Sequence, residues 1–154
     1  MKARLYQRSD LEDVIDLFYD CVHSVNAPDY TSEQLDAMAP EVVDHYRWES
    51  SLEKNHTLVV EDDEGKIIGF GNVGMTGYLD RLFVDKDHLR EGIASMLVER
   101  LEEYARAKGN EIIDTTSSIT SRPFFEAKGF RVVEEQINER HGVRILRYLM
   151  EKRL

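Results

Sequence analysis

Residues Leu82 to Leu97 read LFVDKDHLREGIASML. A hydrophobic strand end, Leu82-Phe83-Val84, runs into a polar loop, and the loop runs into a helix with Gly92 in or near its first turn. The helix is the strongest in the chain. Ile93, Met96, Leu97, Leu101 and Tyr104 fall on one face, with charged residues on the other. Lys108-Gly109 is a good stop signal, and the buried-type strand EIIDTT follows. Strand, helix and strand in succession form a β-α-β unit, whose two strands lie parallel. This unit sets the fold class.

Working outward, the flanks read differently. ARLYQ, from Ala3, is a short strand. SDLE has capping-box spacing from Ser9 to Glu12, and Leu11, Val14, Ile15, Phe18 and Val22 continue as a helical stripe. Thr31 and Gln34 form a second capping box, opening a helix that Pro40 interrupts and that runs to about Trp48. TLVVED, IIGFGNVGM and YLDRLFVD are three strands separated by turns, the second glycine-rich. After EIIDTT, Ser118 or Thr120 is placed to cap a helix with Pro123 in its first turn, ending at Lys128-Gly129. FRVVEEQI and GVRILRYLM are two last strands around NERHG. The order is β-α-α-β-β-β-α-β-α-β-β. The expectation is an α/β fold of three layers, a mixed sheet of about seven strands flanked by about four helices. It is expected to form a single domain over residues 1–154, with no repeat and no linker.

Composition excludes several classes of function. The formal net charge is -10, and no basic stripe runs along any element. Binding to bare nucleic acid needs clustered Lys and Arg, so no nucleic-acid partner is expected. The same charge favours a cationic or neutral substrate, although backbone amides at a helix start can still hold an anion. No window approaches the roughly 20 apolar residues of a membrane span, and MKARLYQRSD lacks the apolar stretch of a signal peptide. The lone Cys21 permits no internal disulfide. Cytoplasmic localisation is expected, with no membrane partner. The five histidines show no metal-ligand spacing with each other or with Cys21, so no metal site is expected.

The loop before the long helix is suited to anions. The first N–H groups of a helix have no internal partners and sit at the positive end of its dipole. Taken alone, Gly92 is equally compatible with simple loop closure. The missing Gly-Lys-Ser/Thr rules out a P-loop, and the three-glycine dinucleotide fingerprint is also missing. The stretch resembles the acetyl-CoA signature of the GNAT superfamily of N-acetyltransferases, Q/R-x-x-G-x-G/A. Here Gly92-Ile93-Ala94 supplies G-x-G/A, after the strand end Leu82-Phe83-Val84. SITSRPFFEAKGF, Ser118 to Phe130, is similar to the family's later helix, N-x-x-A-x-x-F-Y-E-x-x-G-F, with Phe124-Phe125-Glu126 and Gly129-Phe130 in register. HSVNAPDYTSEQLDAMAP, from His23, resembles the segment with which small bacterial members wall the acceptor site. The order of elements matches over the whole chain.

The resemblance implies a function and a site. The function is transfer of the acetyl group of acetyl-CoA to a primary amine of a small molecule or peptide, by direct attack in a ternary complex, in a monomer or homodimer. The cofactor-binding residues it implies are Leu82, Phe83 and Val84, the loop and helix start through Leu89, Arg90, Glu91, Gly92, Ile93, Ala94 and Ser95, and Ser118 and Phe125. The Leu82 N–H is implied as oxyanion donor, beside Asp80 as base or ammonium anchor and Tyr78 as second candidate base. In a regular strand Tyr78, Asp80, Leu82 and Val84 share a face. Three departures stand out. The Gln/Arg position is Leu89, flanked by His88 and Arg90. The family asparagine is Ser118. The tyrosine often used as general acid is Phe125, which has no proton to give; Ser118, Tyr46 or water would replace it. That last change keeps a second reading open, a CoA-binding sensor or interaction module with weak or no catalysis.

Overall fold

A computed structural model describes residues 1–154. Its sheet has seven strands: β1 (Lys2–Leu5), β2 (His56–Glu61), β3 (Ile67–Val73), β4 (Tyr78–Val84), β5 (Ile112–Ser117), β6 (Arg131–Arg140) and β7 (Val143–Arg153). They lie in the order β1-β2-β3-β4-β5-β7-β6. All neighbours are antiparallel except β4 and β5. The one parallel pair is the pair joined by the long helix, as the β-α-β reading requires. Five helices flank the sheet: α1 (Leu11–Ser24), α2 (Ser32–Met38), α3 (His45–Lys54), α4 (Ile93–Ala107) and α5 (Arg122–Ala127).

The extra helix arises at Pro40. The expected helix from Thr31 to Trp48 is two helices, because α2 stops at Met38 and α3 begins with its own cap, the Asp44 carboxylate accepting from the Arg47 N–H at 3.1 Å. The Thr31–Gln34 box is present, with bonds of 2.9 and 3.1 Å in the two directions. The Ser9–Glu12 box is not. Asp10 takes its place by accepting the Gln7 N–H at 2.8 Å, and both carboxylate oxygens also accept from Arg4, at 2.8 and 2.9 Å. This paired guanidinium holds the buried Asp10 carboxyl below the usual carboxylate range, against the opposing effect of burial. The last helix starts one residue later than a Thr120 cap implies and three later than a Ser118 cap implies, with Ser121 preceding it.

The sheet separates two cores. On one side Leu58, Val60 and Ile68 pack with Leu97, Leu101, Ile113, Phe125 and Met150 under α4 and α5. On the other Val59 and Phe70 pack with Val14, Leu17, Trp48 and Leu52 of α1 and α3. Neighbouring residues of β2 therefore serve opposite layers, as strand periodicity dictates. Two glycines of β3 set how close α4 comes. A Cβ at Gly69 would stand 2.9 Å from Ile93 Cγ2, and one at Gly71 would stand 3.2 Å from Leu101 Cδ1. The helix occupies the space these side chains would fill, which seats its first turn beside the end of β4.

Candidate active site

β4 and β5 part company early. Their ladder holds only Tyr78 against Asp114 and Leu79 against Thr115. β5 then follows β7 as far as Ser117, while β4 stays with β3 to Val84. One edge of β4 is thereby left bare in the middle of the sheet. The Asp85 N–H donates to the Ile68 carbonyl at 2.9 Å, and the Arg81 N–H to the Asn72 side-chain oxygen at 3.0 Å. Odd-numbered residues thus turn their polar groups toward β3, and by alternation Leu82 and Val84 turn theirs toward the gap. The Val84 carbonyl accepts from the Cys21 thiol at 3.1 Å. Burial pushes that thiol up to about 12, so Cys21 stays protonated as a small core group.

Next to the gap is the start of α4. Arg90 and Gly92 both have positive φ, 62° and 83°. Gly92 is the residue preceding the helix, in the left-handed conformation that glycine alone adopts at little cost. The first intrahelical bond runs from the Met96 N–H to the Gly92 carbonyl at 3.0 Å. The N–H groups of Ile93, Ala94 and Ser95 precede it and are left open. Nothing lies within 4 Å of where a Gly92 side chain would begin, and the first turn carries no acidic residue. Loop closure and an open amide cradle, which are alternatives in the sequence, coincide here. Around the cradle, Leu89 is 45% exposed, Glu91 pairs with His88 at 3.2 Å, and Lys66 lies 3.6 Å from Asp85.

The other side of the gap departs from a regular strand. Asn72 pairs with Arg81 and Val73 with Leu79, so Asp80 is an extra residue, a β-bulge. The bulge reverses the alternation, and the expected common face of Tyr78, Asp80, Leu82 and Val84 does not form. Leu79, Leu82 and Val84 pack on the α4 side. Tyr78 and Asp80 turn to the α3 side. The Tyr78 hydroxyl donates to Thr116 Oγ1 at 2.9 Å. Asp80 Oδ2 accepts from Ser51 of α3 and from Arg81 Nη1, each at 3.3 Å. Arg81 Nη1 also donates to Ser51 Oγ at 2.7 Å, and the guanidinium carbon lies 3.9 Å from the ring centre of Trp48. Burial draws the Arg81 pKa down, Asp80 draws it up, and nearby Arg140 and Arg47 lower it again.

Two further expected positions lie away from the bare edge of β4. Phe125 is 3% exposed and packs against Phe124 and Phe130 in the α4-side core. The Ser118 hydroxyl is engaged locally, accepting the Ser121 N–H at 3.0 Å and sharing a hydrogen bond with Ser121 Oγ at 2.9 Å. Its loop is tied down by Tyr30, whose buried hydroxyl accepts from the Ile119 N–H at 2.8 Å and donates to the Leu146 carbonyl at 3.0 Å. Tyr46 is 83% exposed on α3, in a cavity of about 510 Å³ with Arg47, Ser50, Ser51 and Lys54. His23 does not project freely; its ring nitrogen lies 2.7 Å from the Ala39 carbonyl. A larger cavity, about 900 Å³, lies apart from the gap between β1, β2 and α4, where His56 stacks on Tyr104. Arg81 is visible in the sequence as a neighbour able to pair with Asp80; Ser51, Thr116 and Asn72 drew no attention there, and only the structure brings them to this part of the sheet. No three His, Cys, Asp or Glu side chains gather as a metal-binding group, and no helix is long and apolar enough to cross a membrane.

The one parallel pair splays beside a helix start with open amides, and the sequence resemblance implies cofactor contacts at both places, the Leu82–Val84 strand end and the Leu89–Ser95 loop. The acetyltransferase (GNAT) domain family matches residues 26–152. The chain belongs to the GNAT acetyltransferase family. It is 30% identical to the uncharacterized N-acetyltransferase YafP of Escherichia coli K12, over 97% of this chain and 94% of that protein. Among solved structures, a GCN5-related N-acetyltransferase from Rhodopseudomonas palustris superposes with a TM-score of 0.94 at 24% identity, over 99% of this chain and 95% of that one. The PaiA N-acetyltransferase from Thermoplasma acidophilum, solved with coenzyme A, superposes with a TM-score of 0.77 at 17% identity, over the full length of both chains. These confirm the α/β GNAT fold with its seven-stranded mixed sheet. Acetyl-CoA is the co-substrate of this family.

Proposed function

We propose that this GNAT protein is a single-domain cytoplasmic enzyme, a monomer or homodimer, that transfers the acetyl group of acetyl-CoA to a primary amine of a small molecule or peptide. The observation that carries the reading is the meeting of two open backbone surfaces, the bare edge of β4 and the uncapped start of α4. The gap-facing groups of Leu82 and Val84 would pair with the amide-bearing arm of the thioester. The amides from Leu89 to Ser95 would receive its pyrophosphate. Both partners are backbone, so Leu89 in place of Gln or Arg leaves the site intact.

Transfer places the amine beside the thioester carbonyl. Asp80 holds the ammonium and takes its proton, directly or through water, with Tyr78 and its partner Thr116 on the same side of the sheet. The amine nitrogen bonds to the carbonyl carbon, and the Leu82 N–H steadies the developing oxyanion. The carbon–sulfur bond then breaks and the electron pair leaves on sulfur. A thiol of ordinary acidity, with a pKa of about 8.5, leaves readily as thiolate. The amine nitrogen sheds its second proton as the amide forms, and water carries a proton to the thiolate in exchange, so a buried Phe125 in place of the family tyrosine is compatible with turnover. The test is release of free thiol from acetyl-CoA over a panel of primary amines, with acetyl-CoA affinity measured separately. Amine-dependent thiol release is the expected result. Phe125 favours one rival, a CoA-binding sensor without catalysis, and tight CoA binding with no amine-dependent thiol release would select it.

A further inference from the structure

Arg81 is a guanidinium held in place but only half used. Nη1 is committed to Ser51 and Asp80. Nε and Nη2, the two nitrogens of the opposite fork, donate to nothing in the chain, and neither is a fully buried atom. The side chain as a whole is 20% exposed, pinned between the Trp48 ring and Ser51. This rigid fork matches the two oxygens of a carboxylate. Burial, and then Arg140 and Arg47, weigh against its charge, while Asp80 supports it. Beside the fork stands a second unused donor. Asn72 has no exposed surface, its oxygen accepts from the Arg81 backbone, and its Nδ2 has no partner. Asp80 complements the fork, because Oδ2 is engaged while Oδ1 makes no bond within the chain. An open carboxylate oxygen and an open guanidinium fork on adjacent residues are the negative image of a zwitterion.

We propose that the acceptor is an α-amino acid or close analogue, its ammonium held by Asp80 and its carboxylate by the Nε–Nη2 fork of Arg81. This rests on the acetyltransferase reading above and names the substrate class of that site. The chain's overall charge of -10 gives no hint of it, since the arginines that matter come from α3, the bulge of β4 and the tip of β6.

Trp48 is the only tryptophan and lies against the fork, so its emission reports directly on occupancy. The probes are the twenty common amino acids and their carboxamides, titrated in the presence of CoA for binding and of acetyl-CoA for turnover. At least one free acid is expected to change Trp48 emission saturably and to exceed its own amide in kcat/KM by about 10-fold to 100-fold. The amide has the less basic amine, so that preference would run against intrinsic reactivity. Arg81→Gln and Arg81→Lys are both expected to abolish it while leaving acetyl-CoA affinity unchanged; lysine keeps the charge and loses the fork. Ser51→Ala, which removes the hydroxyl that accepts from Nη1 and donates to Asp80 Oδ2 while keeping both charged groups, tests the same point where the arginine variants fail to fold, and is expected to weaken the preference. Equal use of acid and amide, a preference that survives all three variants, or turnover of other amines but no amino acid would overturn the proposal. Failure to bind acetyl-CoA would instead overturn the acetyltransferase reading beneath it.

Discussion

The two halves of the candidate site are made of different material. The half beside α4 is backbone: open N–H groups at Ile93, Ala94 and Ser95, and the gap-facing edge of Leu82 and Val84. The half beside α3 is side chain: Asp80, Arg81, Ser51, Tyr78 and Thr116, contributed by three separate elements. A backbone site tolerates change in most side chains and depends on a few conformational requirements. A side-chain site depends on every member and on the geometry that gathers them. The first half suits a ligand common to a whole family, and the second suits a ligand particular to one protein.

The contrast predicts how the halves fail. Gly92→Val places a β-branched residue at φ 83°, which the backbone resists by about 1–2 kcal/mol. Acetyl-CoA affinity is expected to fall at least about 100-fold by calorimetry, while circular dichroism shows a folded protein. Normal affinity would mean that the amide cradle is not the pyrophosphate site. Asp80→Asn belongs to the other half and should separate the two: kcat/KM for the amine is expected to drop about 10²-fold to 10⁴-fold with acetyl-CoA affinity unchanged. A parallel loss of acetyl-CoA affinity would erase the distinction. The smallest effect is expected at Phe125→Tyr, which restores the family's residue. Its hydroxyl would enter the core without a partner, so thermal unfolding should report about 1–3 kcal/mol of destabilisation with no gain in turnover. A large gain in rate would show that the ring reaches the leaving sulfur after all.

The same division explains what could be read in the sequence. The strand, glycine and helix of the central unit were legible because each leaves a local mark: alternation, a φ requirement and a period of 3.6. The five-helix count was not, because Pro40 only marks a break, and the independent start of α3 depends on a single Asp44 cap. Phe125 was legible as a missing phenol but not as a core residue, since a ring at that spacing suits either environment. The acceptor half was hidden by one inserted residue. The bulge at Asp80 leaves Arg81 opposite Leu82 but puts Asp80 and Tyr78 on the α3 side with it and Leu79 on the α4 side, against the face that regular alternation with Leu82 and Val84 assigns them. No composition signal accompanies it. Its nearest mark is the Asn72 oxygen that receives the Arg81 N–H, and Asn72 reads in sequence as an ordinary strand residue.

Gly69 and Gly71 lie on β3, opposite Val84 and Leu82 on the edge of β4 away from the gap, and define the height at which α4 rides on the sheet. In a genetic screen this pair would be misleading. An alanine at Gly69 would press on Ile93, the first residue of the helix, and the lever would be felt at the amide cradle. Such an allele would score as a cofactor-binding defect although it lies some twenty residues upstream of the signature. A suppressor would be sought most profitably in the Ile93 side chain, where valine is smaller by a methyl group and the backbone amide is kept.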